Sequence, residues 1–238
     1  MSSPDWAKEP RRYPFLDAID AAVTELDVQS FASIDNGVTY GEQAFYAAAK
    51  PEIDMGVLAD VRPTRPRDQL LNAIEIASAY PDLRVVDGDA LAPAAALEIG
   101  EVDAVFLLNV LLHAVAPDWD EVLDLYAPQT SCFVVGQPQW EGSGETVRLH
   151  DLGRQRYLEV MPPAVASSGL IDRLDEWYPA QQRPMRDART LWQWGITDAD
   201  LERKLERLGF ELVNRSDQGA FNGTEAFSNR TFVFGRAD

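Results

Sequence analysis

Acidic side chains follow three apolar runs of this chain, where neighbouring strands of a parallel sheet would end. Ser-Phe-Ala-Ser-Ile ends in Asp35, Gly-Val-Leu-Ala ends in Asp60, and Arg-Val-Val is followed by Asp-Gly-Asp89. Gly37 and Gly41 follow two and six residues after the first acid. Glycine lets the backbone approach a ligand that any Cβ would hold off, and the helix that follows offers its N-terminal N–H groups. These residues predict a site for a nucleotide-sized ligand at one end of the sheet.

A fourth apolar run, residues 104–108, ends at Asn109, and its unbroken apolar character suits a strand that is covered on both faces. His113 follows shortly afterwards, and the other histidine of the chain is His150. An imidazole can take a proton near neutral pH. His113 is therefore a candidate general base, and a structural histidine at the start of a helix is the alternative.

The hydrophobic periodicity predicts the elements that position these residues. Helices are predicted over 13–26, 42–49, 68–79 and 118–126, with a last one that begins at the N-cap Thr197 and ends at Gly209. Strands are predicted over 31–35, 55–60, 83–86, 104–108, 131–135, 210–214 and 231–234. Alternating strands and helices predict an α/β fold with a doubly wound, mostly parallel sheet.

The chain has 238 residues, which suits one domain. We divide it into an N-terminal arm and helix (1–27), a ligand-binding core (28–140), an insertion or lid (141–195) and a C-terminal helix with two strands (196–238). Cys132 is the single cysteine and lies in an apolar run. It is predicted to be a core residue, so no disulfide within the chain and no metal site are expected.

The chain carries 39 acidic and 21 basic residues, for a formal net charge of −18. A protein that binds long nucleic acid needs a basic face to neutralise phosphates. The balance therefore predicts that no nucleic acid is bound; a small cationic ligand would be compatible with this charge, and so would solubility alone. No apolar run is long enough to span a membrane and no apolar signal core is present, so a cytoplasmic protein without a membrane partner is expected. The sequence does not decide whether the protein forms a homodimer.

The insertion is rich in aromatic and basic residues, which can form the wall of a pocket. The candidate acceptor-binding residues are Trp140, His150, Tyr178, Trp192, Trp194 and Arg186, with Trp177, Arg183 and Arg189 nearby. Flat aromatic rings would supply apolar surface, and the arginines would meet an anionic group. The alternatives are a small satellite core for the aromatic residues, a solvated face for the arginines and a structural role for His150.

Taken together, these motifs resemble those of class I S-adenosylmethionine-dependent methyltransferases over about residues 28–140 and 196–236. In that family an acid ends the first strand and Gly-x-Gly-x-Gly follows; Asp35, Gly37 and Gly41 match the acid and the outer glycines, and Thr39 stands at the middle one. The resemblance implies a seven-stranded Rossmann-like sheet with helices on both faces and a closing antiparallel strand pair. It also implies S-adenosylmethionine as cofactor, with its methionine part against the turn 35–41.

The same resemblance assigns roles to the later residues. Asp60 matches the acid that holds both ribose hydroxyls, a task that suits the two acceptor oxygens of a carboxylate. Asp89 and Ala90 resemble the motif that contacts adenine, in which the acid accepts from the exocyclic amine. Asn109 lies where the family's fourth strand faces cofactor and substrate.

Missing signatures narrow the reaction. Asn109 is followed by Val-Leu-Leu and not by Pro-Pro-Tyr, and the chain has neither a Pro-Cys nucleophile nor a three-cysteine cluster. O-methylation of a small metabolite or a sugar-like acceptor is the expectation that is left. Two alternatives stay open. One is a catalytically silent, methyltransferase-like binding module. The other is a nicotinamide-dependent Rossmann enzyme, although its Gly-x-Gly-x-x-Gly fingerprint is not present here.

Overall fold

One seven-stranded sheet dominates the computed structural model, which describes residues 14–35, 42–60, 80, 82–163, 165–166 and 168–237. Its strands are β1 (Ser30–Asp35), β2 (Met55–Asp60), β3 (Leu83–Val86), β4 (Val102–Leu108), β5 (Thr130–Trp140), β6 (Phe210–Ala220) and β7 (Phe227–Arg236). They lie in the order β3-β2-β1-β4-β5-β7-β6. Strands β1 to β5 pair in parallel, whereas β7 pairs antiparallel with both β5 and β6. The predicted doubly wound sheet with a closing antiparallel pair is confirmed.

The register of the parallel strands aligns their carboxyl ends along one edge of the sheet. Asp35 lies opposite Asp60 at the ends of β1 and β2. Leu108, the last residue of β4, lies opposite Gly136, whose carbonyl accepts a hydrogen bond of 2.7 Å from the N–H of Asn109. Neighbouring strands are separated by about 4.8 Å, so the predicted polar residues reach the same edge.

Helices cover both faces of the sheet. They are α1 (Pro14–Glu25), α2 (Glu42–Ala48), α3 (Pro93–Ile99), α4 (Trp119–Tyr126), α5 (Arg154–Val160), α6 (Ser168–Ile171) and α7 (Asp198–Arg207). Apolar residues of α1 and α2 form one core with the sheet, and those of α3, α4 and α7 form another on the opposite face. Thr197 caps α7 as predicted, since its hydroxyl accepts from the N–H of Asp200.

Several elements differ from the sequence prediction. Strands β6 and β7 are longer than the predicted 210–214 and 231–234, and α5 and α6 lie in the insertion, where no helix was predicted. Strand β5 runs to Trp140, five residues beyond the predicted end, because residues 136–140 pair with β7. Helix α3 was not predicted; it begins with Pro93, and proline is well tolerated in the first turn of a helix. The helix predicted over 68–79 lies outside the described residues.

The insertion builds a small satellite core at the far end of β5. It contains two short antiparallel ribbons, which pair Val147–Arg148 with Trp194–Gly195 and Trp177–Tyr178 with Arg183–Pro184. The buried residues of this core are Trp140, Leu149, Tyr157, Val160, Met161, Ala226 and Phe227. The insertion is thus packed onto the sheet through β5 and β7. Among the described residues, no helix has the length and apolar character needed to cross a bilayer.

The central strands depend on a stacked pair of buried phenylalanines. The rings of Phe31 in β1 and Phe106 in β4 lie 5.0 Å apart and nearly parallel, and neither is exposed. We expect Phe106→Ala to lower the free energy of unfolding by about 3–5 kcal/mol through lost burial and a residual cavity. Leu97→Ala is the control, because Leu97 is 76% exposed. Equal effects of both variants in denaturant titrations would contradict this account of the core.

Candidate functional site

Asp60 occupies a buried position at the carboxyl end of β2. The residue is only 2% exposed. Its carbonyl oxygen accepts a hydrogen bond of 2.8 Å from the N–H of Ala90, which ties the loop after β3 to the end of β2. The structure therefore brings Asp60 and the predicted Asp89-Ala90 motif together. Gly37 and Gly41, like the side chain of Asp35, lie outside the described part of the chain.

The loop after β3 is held rigidly around Ala90. The N–H of Leu91 donates to Asp89 Oδ1 at 3.0 Å, which closes a local turn. The hydroxyl of Tyr126, in α4, donates to the carbonyl of Ala90 at 2.5 Å. Burial raises the pKa of Tyr126, so this hydroxyl stays protonated and keeps donating at neutral pH. The predicted adenine-contacting residues thus sit on a fixed backbone.

Asp89 is paired with an arginine of the insertion. Nη1 of Arg189 lies 2.7 Å from both carboxylate oxygens of Asp89. Arg189 also donates to two carbonyls of the loop after β4, from Nε to Val115 at 3.1 Å and from Nη2 to Ala116 at 2.6 Å. Arg189 is only 6% exposed. The sequence predicted that Arg189 could bind an anionic group of the acceptor. In the structure the anionic partner of Arg189 is Asp89.

Residues 188–196, which we call the strap, cross the carboxyl ends of β3, β4 and β5. Besides Arg189, four hydrogen bonds attach the strap to the core. They join Leu191 O to His113 Nδ1 (2.7 Å), Gln193 N to Leu112 O (2.7 Å), Trp194 Nε1 to Ala114 O (2.8 Å) and Ile196 O to Trp140 N (2.7 Å). The strap therefore covers the edge of the sheet where the predicted site residues lie. Nothing in its local sequence signals this role, because its partners are distant in the chain.

His113 lies half-buried in a short 3-10 turn, Leu111–His113, directly after β4. Burial lowers the pKa of His113 to about 4, although its bond to the Leu191 carbonyl acts in the opposite direction. At neutral pH the ring is therefore uncharged. A carbonyl can only accept, so Nδ1 carries the proton and Nε2 presents a lone pair. This tautomer is the one that a general base acting through Nε2 requires.

His150 lies beside the satellite core, against Tyr157. It is buried, and its ring centroid lies 5.7 Å from that of Tyr157. Among the described residues neither ring nitrogen has a partner at full hydrogen-bond geometry, although the backbone of Arg186 lies close to the ring. Burial, with the positive charge of Arg148 nearby, lowers the pKa of His150. This placement favours the structural alternative for His150 over acceptor binding.

The predicted aromatic wall divides into two groups. Trp140 is 3% exposed and packs against Phe227, and Trp192 packs against the same ring, so both belong to the satellite core. Their rings are used in packing, as in the satellite-core alternative. Trp194 is half-buried and reaches the turn after β4 through Ala114. Tyr178 is half-buried in its ribbon.

The arginines of the insertion also divide. The side chain of Arg186 is 42% exposed and lies 3.8 Å from Asp151 and 3.7 Å from Asp175, as expected for the solvated face that was the alternative. Arg183 turns inward and donates to the carbonyl of Asp187 at 3.2 Å. Together with Arg189, it places positive charge next to the loop after β4. The acceptor-binding prediction for Arg186 is not supported by this position.

Two glutamines at the end of β5 were missed by the sequence reasoning. Gln137 and Gln139 are completely buried and, two residues apart, point to the same face of the strand. Gln137 Oε1 accepts from the N–H of Leu112 at 3.1 Å. Gln137 Nε2 and both polar atoms of Gln139 have no partner among the described residues. The available signal was polar Gln-Pro-Gln directly after an apolar run.

The ionisation of the two histidines gives a direct test of this geometry. We expect neither imidazole to titrate at its ordinary pKa near 6.5, and His113 to titrate near 4. Because the unfolded chain binds protons more tightly, the stability contributed by neutral His113 is complete above about pH 6.5 and is lost as the pH falls towards 4. Imidazole NMR titration, assigned with His113→Asn, checks this. Protonation of His113 near pH 6.5 would contradict the described environment.

Comparison with known proteins places the fold. No protein-family model and no curated protein sequence matches the chain. Among solved structures, the N-terminal domain of EvdMO1 with SAH bound has a TM-score of 0.56 at 16% identity, over 95% of this chain and 82% of that one. A 1,6-didemethyltoxoflavin-N1-methyltransferase of Burkholderia thailandensis, with bound 1,6-didemethyltoxoflavin and S-adenosylhomocysteine, has a TM-score of 0.57 at 11% identity, over 96% of this chain and 80% of that one.

An O-methyltransferase family protein, also from Burkholderia thailandensis, has a TM-score of 0.58 at 13% identity, over 94% of this chain and 56% of that one. The small RNA methyltransferase HEN1 is a further match. At identities this low, the structural similarity establishes the architecture only. The chemistry has to be inferred from the residues of the site. The protein therefore has the Rossmann-like fold of class I methyltransferases.

Proposed function

We propose that this protein is an S-adenosylmethionine-dependent methyltransferase. The observation that carries the proposal is the convergence of Asp60, the Asp89-Ala90 loop and Asn109 at the carboxyl edge of the sheet. In open α/β sheets, ligands bind in the crevice at this edge. Two of the similar structures hold S-adenosylhomocysteine, the product of the same cofactor.

The donor and acceptor groups of the described residues fit this cofactor. The two oxygens of the buried Asp60 carboxylate suit a pair of vicinal ribose hydroxyls. Asp89 would accept from the exocyclic amine of adenine beside the fixed backbone of Ala90. Asn109 has a left-handed φ of 56°, an uncommon conformation that is often found at functional sites. Asp35, Gly37 and Gly41 remain the proposed contacts of the methionine part.

When bound, S-adenosylmethionine supplies an electrophilic methyl group on a positive sulfur. Methyl transfer is an in-line displacement, so the protein contributes mainly by positioning the acceptor and excluding water. The strap covers the strand ends and is attached to them by several hydrogen bonds. His113 would accept the proton of an acceptor hydroxyl at Nε2, whose lone pair is fixed by the Nδ1 bond. A neutral imidazole also avoids a second positive charge beside the sulfonium.

A small, polar acceptor that is methylated on oxygen fits these surroundings best. Gln137 and Gln139 are buried amides with polar atoms that have no partner among the described residues, and Gln137 contacts the turn that carries His113 through the N–H of Leu112. A buried polar atom without a partner costs about 1–3 kcal/mol, which an acceptor with hydroxyl or carbonyl groups would recover. Trp194, whose indole N–H is bonded to the Ala114 carbonyl, remains a proposed contact of such a ligand. The net charge of −18 argues against RNA, the type of substrate in the name of one similar structure.

Titration calorimetry with S-adenosylhomocysteine tests the cofactor assignment. We expect saturable binding, and Asp60→Asn should weaken it at least tenfold, the effect of about 1.4 kcal/mol. Asp54→Asn is the matched control, because Asp54 is exposed just before β2. No binding of S-adenosylhomocysteine together with binding of NADH would favour the nicotinamide-dependent alternative and overturn the proposal.

Turnover separates an enzyme from a silent binding module. With labelled S-adenosylmethionine and a panel of hydroxylated metabolites, we expect methylation of an acceptor oxygen. His113→Asn should lower kcat by about 100-fold or more, the usual contribution of a general base, while S-adenosylhomocysteine affinity stays within about twofold. Unchanged turnover in His113→Asn would exclude the general-base role. Cofactor binding with no methylation of any acceptor would favour the silent module.

A further inference from the structure

The contact between Arg189 and Asp89 joins the insertion to the proposed cofactor site. The two residues are 100 positions apart in the chain, and Arg189 Nη1 lies 2.7 Å from each oxygen of Asp89. The arginine side chain is only 4% exposed, whereas the carboxylate side chain is 24% exposed. One side of Asp89 is therefore held by the strap, and another side is open to a ligand.

The hydrogen bonds around Asp89 leave limited acceptor capacity. A carboxylate offers about four lone-pair positions on its two oxygens. Arg189 Nη1 engages both oxygens, and the N–H of Leu91 engages Oδ1 again. About one position is left for an external donor, and its direction is set by the other bonds. An exocyclic amine is a donor of the required type.

Arg189 is itself fixed from a second side. Its Nε and Nη2 donate to the carbonyls of Val115 and Ala116, in the loop after β4. The guanidinium thus bridges the loop after β3, the loop after β4 and the strap. An exposed ion pair contributes little, but a buried arginine with a charged partner and two carbonyl partners is an ordered part of its surroundings.

From this arrangement we infer that Arg189 is a positioning residue of the nucleobase subsite, which couples adenine recognition by Asp89 to closure of the strap. The inference rests on the proposed function. The strap also binds His113 through the carbonyl of Leu191, two residues after Arg189. A ligand that binds Asp89 better when the strap is closed must, by linkage, stabilise the closed strap. Binding of the cofactor would therefore help to hold the strap closed over the proposed acceptor site.

The inference is tested by comparing two ligands that differ at one group. S-inosylhomocysteine carries a carbonyl where S-adenosylhomocysteine carries the exocyclic amine, so it presents an acceptor to Asp89 in place of that donor. We expect the protein to prefer S-adenosylhomocysteine by at least about tenfold in calorimetry. Arg189→Gln should weaken S-adenosylhomocysteine more than S-inosylhomocysteine, and so reduce that preference several-fold. Arg189→Lys, which keeps the charge and loses the planar fork, should restore the preference only in part.

Arg186→Gln is the matched control, since Arg186 belongs to the same segment of the insertion and its side chain is 42% exposed, against 4% for Arg189. It should leave both affinities and their ratio unchanged. If Arg189→Gln weakens both ligands equally, or neither of them, Arg189 has no part in nucleobase recognition and the inference is wrong. Failure of the wild-type protein to bind S-adenosylhomocysteine would instead overturn the proposed function, and the inference with it.

Hydrogen exchange on the wild-type protein tests the coupling without any variant, in case Arg189→Gln does not fold. S-adenosylhomocysteine should slow exchange of the amides of residues 188–196, and S-inosylhomocysteine at equal saturation should slow it less. Equal protection of the strap by the two ligands, or protection by neither, would overturn the coupling.

Discussion

The ion pair between Arg189 and Asp89 is the contact on which the arrangement of the site depends. It connects the strap to the loop after β3, and the same guanidinium binds the loop after β4. Because Arg189 is buried, removing either partner would leave the other without its counter-charge. The insertion is thereby part of the proposed cofactor site, and the acceptor and cofactor sides share one structural element.

The parallel sheet explains why the polar groups gather at one edge. Both faces of the sheet are covered by helices, so the strands are apolar along most of their length. The carboxyl ends are where polar side chains can meet a ligand, and Asp60, Asn109 and Gln137 all lie there. The strap closes this edge partly with its own backbone groups, at Leu191, Gln193 and Ile196, and backbone bonds tolerate many side chains and therefore leave little trace in the sequence.

The cofactor side could be predicted far better than the acceptor side. Asp60, Asp89 and Asn109 each follow a local apolar run, so their place at strand ends follows from short-range pattern alone. The insertion has no such rhythm. Its tryptophans suit a pocket wall and a small core equally well, and packing placed Trp140 and Trp192 in the core. Gln137 and Gln139 escaped notice because β5 is extended by pairing with β7, a partner about 90 residues away.

The sequence by itself determined four features: the apolar runs, the acids that end them, the helix caps such as Thr197 and the acidic net charge that disfavours binding of nucleic acid. These follow from local periodicity and composition. The tertiary structure alone decided that Arg189 meets Asp89, that the proton of neutral His113 sits on Nδ1, and that the strap covers the strand ends. Such contacts join residues up to 100 positions apart, so they depend on how the elements pack and not on any local pattern.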